Sequence, residues 1–156
     1  RLKAGLDGSD PISATGAWTG SLSMNVSDFS LIGEYLTASS HFELNELDFD
    51  GSGAKPSAWN LEGAYSFPLM GKDSSFAVGY QQTRESLGLG LPEQRWLAAL
   101  NVEIFDSTTL SFEYHRDTDY GTGHSAGQLN NDGELEAGTG TGKHASASLT
   151  KQAVEF

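Results

Sequence analysis

At 156 residues the chain is long enough for one domain, and 37% hydrophobic residues against 19% charged is lean for a compact soluble core. A net charge of −12 argues against a nucleic-acid partner, because phosphate contacts need clustered Lys and Arg. The lack of cysteine excludes disulfides and thiolate metal sites, and no run reaches the ~18–20 apolar residues of a spanning helix.

The chain begins at Arg1 without methionine or an apolar leader, as a processed, trimmed or partial product would. A short first strand is expected at about 1–7, from Leu2, Ala4 and Leu6. From Ile12 to Ser27 the alternation is strict. Trp18, Gly20, Leu22, Met24 and Val26 fall on one side, and Thr19, Ser21, Ser23 and Asn25 on the other. Such a period of two makes a two-faced strand and would scatter residues around a helix.

The same pattern recurs along the chain. Phe29, Leu31, Gly33 and Tyr35 oppose Glu34, and Trp59, Leu61, Gly63, Tyr65 and Phe67 oppose Asn60, Glu62 and Ser66. Phe76, Val78 and Tyr80 oppose Gln81. Trp96 to Ile104 opposes Arg95, Asn101 and Glu103, and Leu110, Phe112 and Tyr114 oppose Ser111, Glu113 and His115. The last strand, at about 143–156, alternates weakly. It puts Lys151 and Glu155 on the polar face, Thr150 and Gln152 on the apolar one, and ends on Phe156.

Short turns at Ser27-Asp28, Pro68 to Asp73 and Asp106-Ser107 alternate with longer links at about 40–56, Leu87–Pro92 and 121–142. Residues 1–156 are therefore expected to form an all-β, antiparallel meander of about eight strands. The expected architecture is a transmembrane β-barrel of the bacterial outer membrane, or half of a larger one, with short turns periplasmic and long loops extracellular. Strands of ~10–15 residues and Trp and Tyr on the apolar face support this against a soluble sandwich or lipocalin-like barrel, where the apolar face turns inward.

Phe29-Ser-Leu-Ile-Gly-Glu-Tyr-Leu-Thr-Ala38, Gly53-Ala-Lys-Pro-Ser-Ala-Trp-Asn-Leu-Glu62, Leu89-Gly-Leu-Pro-Glu-Gln-Arg-Trp-Leu-Ala-Ala99 and the ending Ala153-Val-Glu-Phe156 carry a resemblance. Across roughly two-thirds of its length the chain resembles the LbtU family of siderophore porins of Gram-negative bacteria. Its members are longer, and this chain is similar to their C-terminal half. The resemblance implies passage of ferric siderophores, or looser porin-like diffusion, and brings no site residues with it.

Glu34, Glu62, Arg95, Glu103, Glu113, His115 and Lys151 are the expected lining of an acidic lumen. In a wide pore they would set cation preference. In a narrow eight-strand barrel they would be ion pairs that brace a filled interior, as in a scaffold that anchors or sheathes a partner complex. The extracellular acidic loop carries Glu43, Glu46, Asp48 and Asp50. It is a solvated surface, or a collector of cationic solutes at the mouth.

Asp48, Asp50 and Ser52 also match the first positions of a calcium loop, with Gly53 as its turn, but Trp59 stands where the bidentate acid belongs. No cofactor is expected beyond weak calcium binding there. No spacing of Ser, His and acid singles out a nucleophile, so no enzyme activity is expected. The partners expected are outer-membrane lipid, a small solute, and further barrel strands or copies of the chain.

Overall fold

A computed structural model describes residues 15–105, 108–129, 135–145 and 150–155. The expected strand at about 1–7, the Asp106-Ser107 turn and Phe156 lie outside them. The strands are β1 (Ala17–Val26), β2 (Phe29–Ala38), β3 (Leu47–Phe49), β4 (Ser52–Gly53), β5 (Ser57–Leu69) and β6 (Lys72–Arg84). There follow β7 (Gln94–Phe105), β8 (Thr108–Thr118), β9 (Ser125–Leu129), β10 (Leu135–Thr139), β11 (His144–Ala145) and β12 (Thr150–Glu155). A 3₁₀ turn, Leu87–Leu89, is the one helical element among the described residues.

The long strands form an eight-stranded antiparallel sheet in the order β1-β2-β5-β6-β7-β8-β11, with β12 also on β8. It is a meander, as alternation at period two and the short turns dictate. Met70 and Gly71, at φ 53° and 78°, close β5 onto β6 as a two-residue hairpin requires. The all-β, antiparallel expectation is therefore met. The sheet is open, however: among the described strands none joins β1 to β11 or β12.

Two features depart from the sequence reading. The last strand is split into β11 and β12, and the register on β8 slips by one residue between them. Ala145 faces Asp117, but Thr150 faces Glu113. The links expected to be plain loops contain β3, β4, β9 and β10, which form a second sheet in the order β10-β9-β3-β4.

This small sheet and the 3₁₀ turn make a cap at the long-link end. The buried apolar residues Leu47, Ala54, Tyr120 and Ala126 lie in the cap, and Ala38 lies at the end of β2 that adjoins it. The large sheet has no such core. Its apolar face leaves Trp18 72%, Leu22 67% and Phe29 62% exposed.

Candidate functional site: the polar face and its cap

Ladder partners in an antiparallel pair share a face, so the registers sort the paired residues of the long strands by face, up to a bulge between Glu103 and Phe105. Ser21, Glu34, Asn60, Gln81, Arg95 and Asp117 form one continuous row across six strands. Within it Asn60 Nδ2 donates to Glu34 Oε2 at 3.0 Å. Arg95 donates from Nε and Nη2 to the two oxygens of Asp117, at 2.6 and 2.7 Å. Two parallel charge-assisted bonds make this a geometrically fixed pair rather than a loose surface contact.

One row nearer the short turns, Glu62 faces Gly79, and Leu97 faces His115. The next row carries Ser30, Ala64, Ala77, Ala99 and Glu113. Beyond it, Ser75, Asn101 and Ser111 are linked. Asn101 Nδ2 donates to Ser75 Oγ at 3.2 Å, and Ser111 Oγ donates to Asn101 Oδ1 at 2.6 Å. Glu103 lies opposite Thr109. There the face is concave, and Asp28, Ser66, Asp73, Asn101 and Glu103 help to border an open hollow of about 730 Å³.

Glu34, Glu62, Arg95, Glu103, Glu113 and His115 thus share one face but are spread over its whole length. The partner of Arg95 is Asp117 rather than one of the glutamates. Pairing register identifies it, and alternation alone does not. Lys151 is placed differently: its ladder partner is Phe112, in the apolar row, while Gln152 faces Ser111 and Glu155 faces Thr108. The register of β12 on β8 is offset by one residue from that of β11.

In the cap, the acidic run His41–Asp50 does not act as one cluster. Glu43 and Glu46 stay together in a turn, where Glu46 Oε2 accepts from the Glu43 N–H at 3.4 Å. Asp48 sits in β3, and its Oδ1 is buried without a hydrogen-bond partner. Asp50 and Gly51, at φ 54° and 77°, form the tight turn from β3 into β4. A calcium-type loop would instead turn its side chains onto one point. Ser52 is already in β4, and no three His, Asp or Glu converge among the described residues.

Asp50 is instead a latch across the cap. Its Oδ1 accepts from the Ser125 N–H at 2.9 Å, and its Oδ2 lies 2.8 Å from His124 Nδ1. The Ser125 bond, then the His124 bond, hold its carboxyl below the usual value. The His124 ring stacks on Phe49, which meets the Tyr120 ring edge-on.

The Tyr120 hydroxyl is buried between Thr83 Oγ1, at 2.8 Å, and the Ser86 N–H, at 3.1 Å. Thr83 Oγ1 spends its one proton on Pro92 O at 2.7 Å, so the tyrosine is the donor to it. Asp119 closes the base. Burial pushes its carboxyl up, but bonds from the Thr141 hydroxyl and N–H and the Tyr120 N–H outweigh that and hold it low. The sequence reading missed Thr83, Tyr120 and Asp119, because side-chain bonds made across long sequence gaps, from a strand end and a link, leave no periodic signal.

The chain is 38% identical over 109 residues to the UPF0422 protein of Coxiella burnetii (strain RSA 493 / Nine Mile phase I). That match covers 70% of this chain and 23% of the relative. It is 37% identical over 118 residues to a UPF0422 protein of Legionella pneumophila (strain Paris), covering 75% and 22%. With the strain Philadelphia 1 protein it shares 35% over 129 residues, covering 82% and 24%. The chain therefore spans about a quarter of the length of these relatives, whose names state no activity. No family model matches the chain, and no solved structure matches it significantly.

Proposed function

We propose that the chain is a wall sector of an outer-membrane β-barrel porin that passes small solutes through a polar, acidic lumen. One observation carries this. The eight-stranded sheet is divided into a polar and an apolar face, and among the described residues none covers the apolar face. A soluble protein rarely leaves so wide an apolar surface bare, whereas hydrocarbon is its natural cover. Strands of 10 to 13 residues in β1, β2, β5 and β6 suit the ~9–11 residues a tilted crossing needs.

The polar face then looks onto the lumen. Glu34, Glu62, Asp73, Glu103, Glu113 and Asp117 outnumber Arg95 and His115 on it. Fixed charge of that sign favours cationic and neutral solutes over anionic ones. Ferric siderophores are the solute class suggested by the resemblance in the blocks Phe29 to Ala38, Gly53 to Glu62 and Leu89 to Ala99. The relatives' greater length fits a barrel with further strands beyond β1.

The bonds Arg95–Asp117 and Ser75–Asn101–Ser111 favour a second reading, in which the interior is braced and filled and the barrel anchors a partner. Planar-bilayer conductance of the full-length protein separates the two. The porin reading expects single-channel steps with cation preference. A membrane-inserted protein without steps would sink it in favour of the scaffold.

A further inference from the structure

On the apolar face, the aromatic residues nearest the cap follow a line oblique to the strands. Trp18 on β1 is paired with Thr37, and the aromatic on β2 is Tyr35, two residues nearer the short turns. Tyr35 is paired with Trp59 on β5, and Trp59 with Gln82 on β6. Tyr80 is again two residues nearer the turns, and it is paired with Trp96 on β7. Trp96 is paired with Arg116 on β8, and Tyr114 is two residues nearer the turns once more.

Three two-residue steps in one direction, over five strand junctions, are a drift of ~20 Å along the strands for ~24 Å across them. That is an angle of ~40°, within the ~35–45° by which strands tilt in a closed membrane barrel. The rings touch along the middle of the line. Tyr80 lies 5.3 Å from Trp59 and 4.7 Å from Trp96 between ring centroids.

The same line divides the face by polarity. On its cap side stand Thr37, Ser57, Gln82, Gln94 and Arg116, and on its turn side Leu22, Leu31, Leu61, Val78 and Phe112. All three tryptophans of the chain lie on it, and its members are Trp and Tyr without a Phe. Phe29, Phe67, Phe76 and Phe112 all fall on the turn side. The Trp59 indole N–H points across the line to Gln82 Oε1 at 3.3 Å. A packed protein core has no use for such a division, whereas rings with one apolar and one polar edge belong at a headgroup boundary.

We infer that Trp18, Tyr35, Trp59, Tyr80, Trp96 and Tyr114 lie in the lipid headgroup layer at one common depth, with the strands tilted by ~40° and the cap outside the bilayer. This rests on the membrane reading above and goes beyond it by fixing position and tilt. A boundary running along the ladder rows would instead put Trp96 ~13 Å, four residues, deeper than Trp18.

The test uses the full-length protein in phosphatidylcholine vesicles whose chains are brominated either near the headgroup or near their ends. The fluorescence quenching lost on Trp18→Phe, Trp59→Phe or Trp96→Phe gives the depth of each ring. The expected result is the same ratio of shallow to deep quenching for all three, with shallow bromine favoured. Leu22→Trp, on the turn side, should add quenching by the deep bromine. Trp-to-Tyr variants give the same readout if a Phe variant assembles poorly.

Unequal ratios, with Trp96 favouring deep bromine, would overturn the common boundary and leave the membrane reading standing. Quenching of Leu22→Trp alone would do the same. No quenching at any of the four positions would overturn both.

Discussion

The hydroxyl of Tyr120 lies 2.8 Å from the hydroxyl of Thr83, across 37 positions of sequence. Through this bond the last link of the sheet is tied to the end of β6, and the 3₁₀ turn is tied to both by the Ser86 N–H. Both side chains are almost fully buried, with Thr83 at 1% and Tyr120 at 3% exposure. Tyr120→Phe keeps the ring packing against Phe49 but leaves the Ser86 N–H buried and unpaired. The expected cost is about 1–3 kcal/mol, confined to the cap. Hydrogen exchange should speed up at Ser86 and across β3 and β9, while amides of β5 to β7 stay unchanged.

The Asp50 latch makes a prediction about acid. Its carboxyl is held below the usual value of 3.8 by the Ser125 and His124 bonds. A carboxyl depressed in the folded state stabilises it fully above the ordinary value, and that contribution is lost as pH falls through the lowered one. Cap protection at Ser125 should therefore not change through the Asp50 carboxyl between neutral pH and about pH 5, and should fall below about pH 4. Asp50→Asn keeps a residue tolerant of positive φ in the turn and should remove that acid step. An acid step unchanged in Asp50→Asn would assign it to another group.

Gly53 and Gly88 in the cap are places of close approach. A Cβ on Gly53 would overlap the Phe42 carbonyl, where the chain enters the β3 turn, and one on Gly88 would meet Leu47 Cδ1 at 2.9 Å. Gly53→Ala should therefore open the cap at a cost of about 1–3 kcal/mol or more, read by proteolysis within 40–56. Gly20→Ala, with open space around its Cβ, is the matched control on the sheet and should leave the protein resistant.

What could be read from the sequence follows from where periodicity operates. Trp18 to Val26 and Trp59 to Phe67 alternate so regularly that strand identity, face and meander all follow from spacing. The cap could not be read this way. Leu47–Phe49 pairs with residues 126–128, and strands of two to five residues are too short to show a period. The Asp50-Gly51 turn signal overlaps a calcium-loop pattern that starts two residues earlier. The pairing of Lys151 with Phe112 follows from a one-residue offset between β11 and β12, and no spacing rule reveals such an offset in a weakly alternating strand.

The Arg95–Asp117 pair separates the two readings of the polar face. Arg95 is partly exposed, with its side chain at 34%, so the pair is screened and its loss should cost only about 0.2–1 kcal/mol. Arg95→Ala should therefore leave the sheet assembled. In a wet lumen it removes the one Arg or Lys that the described ladders place on that face and uncovers the Asp117 carboxylate, so cation selectivity of the conductance should rise. Arg95→Ala with Asp117→Ala should return selectivity towards the parent value, since the two changes cancel in net charge. In a filled, bracing interior neither variant would change an ion current. Unchanged selectivity in both variants of a conducting protein would mean that the row from Glu34 to Asp117 does not face the ion path.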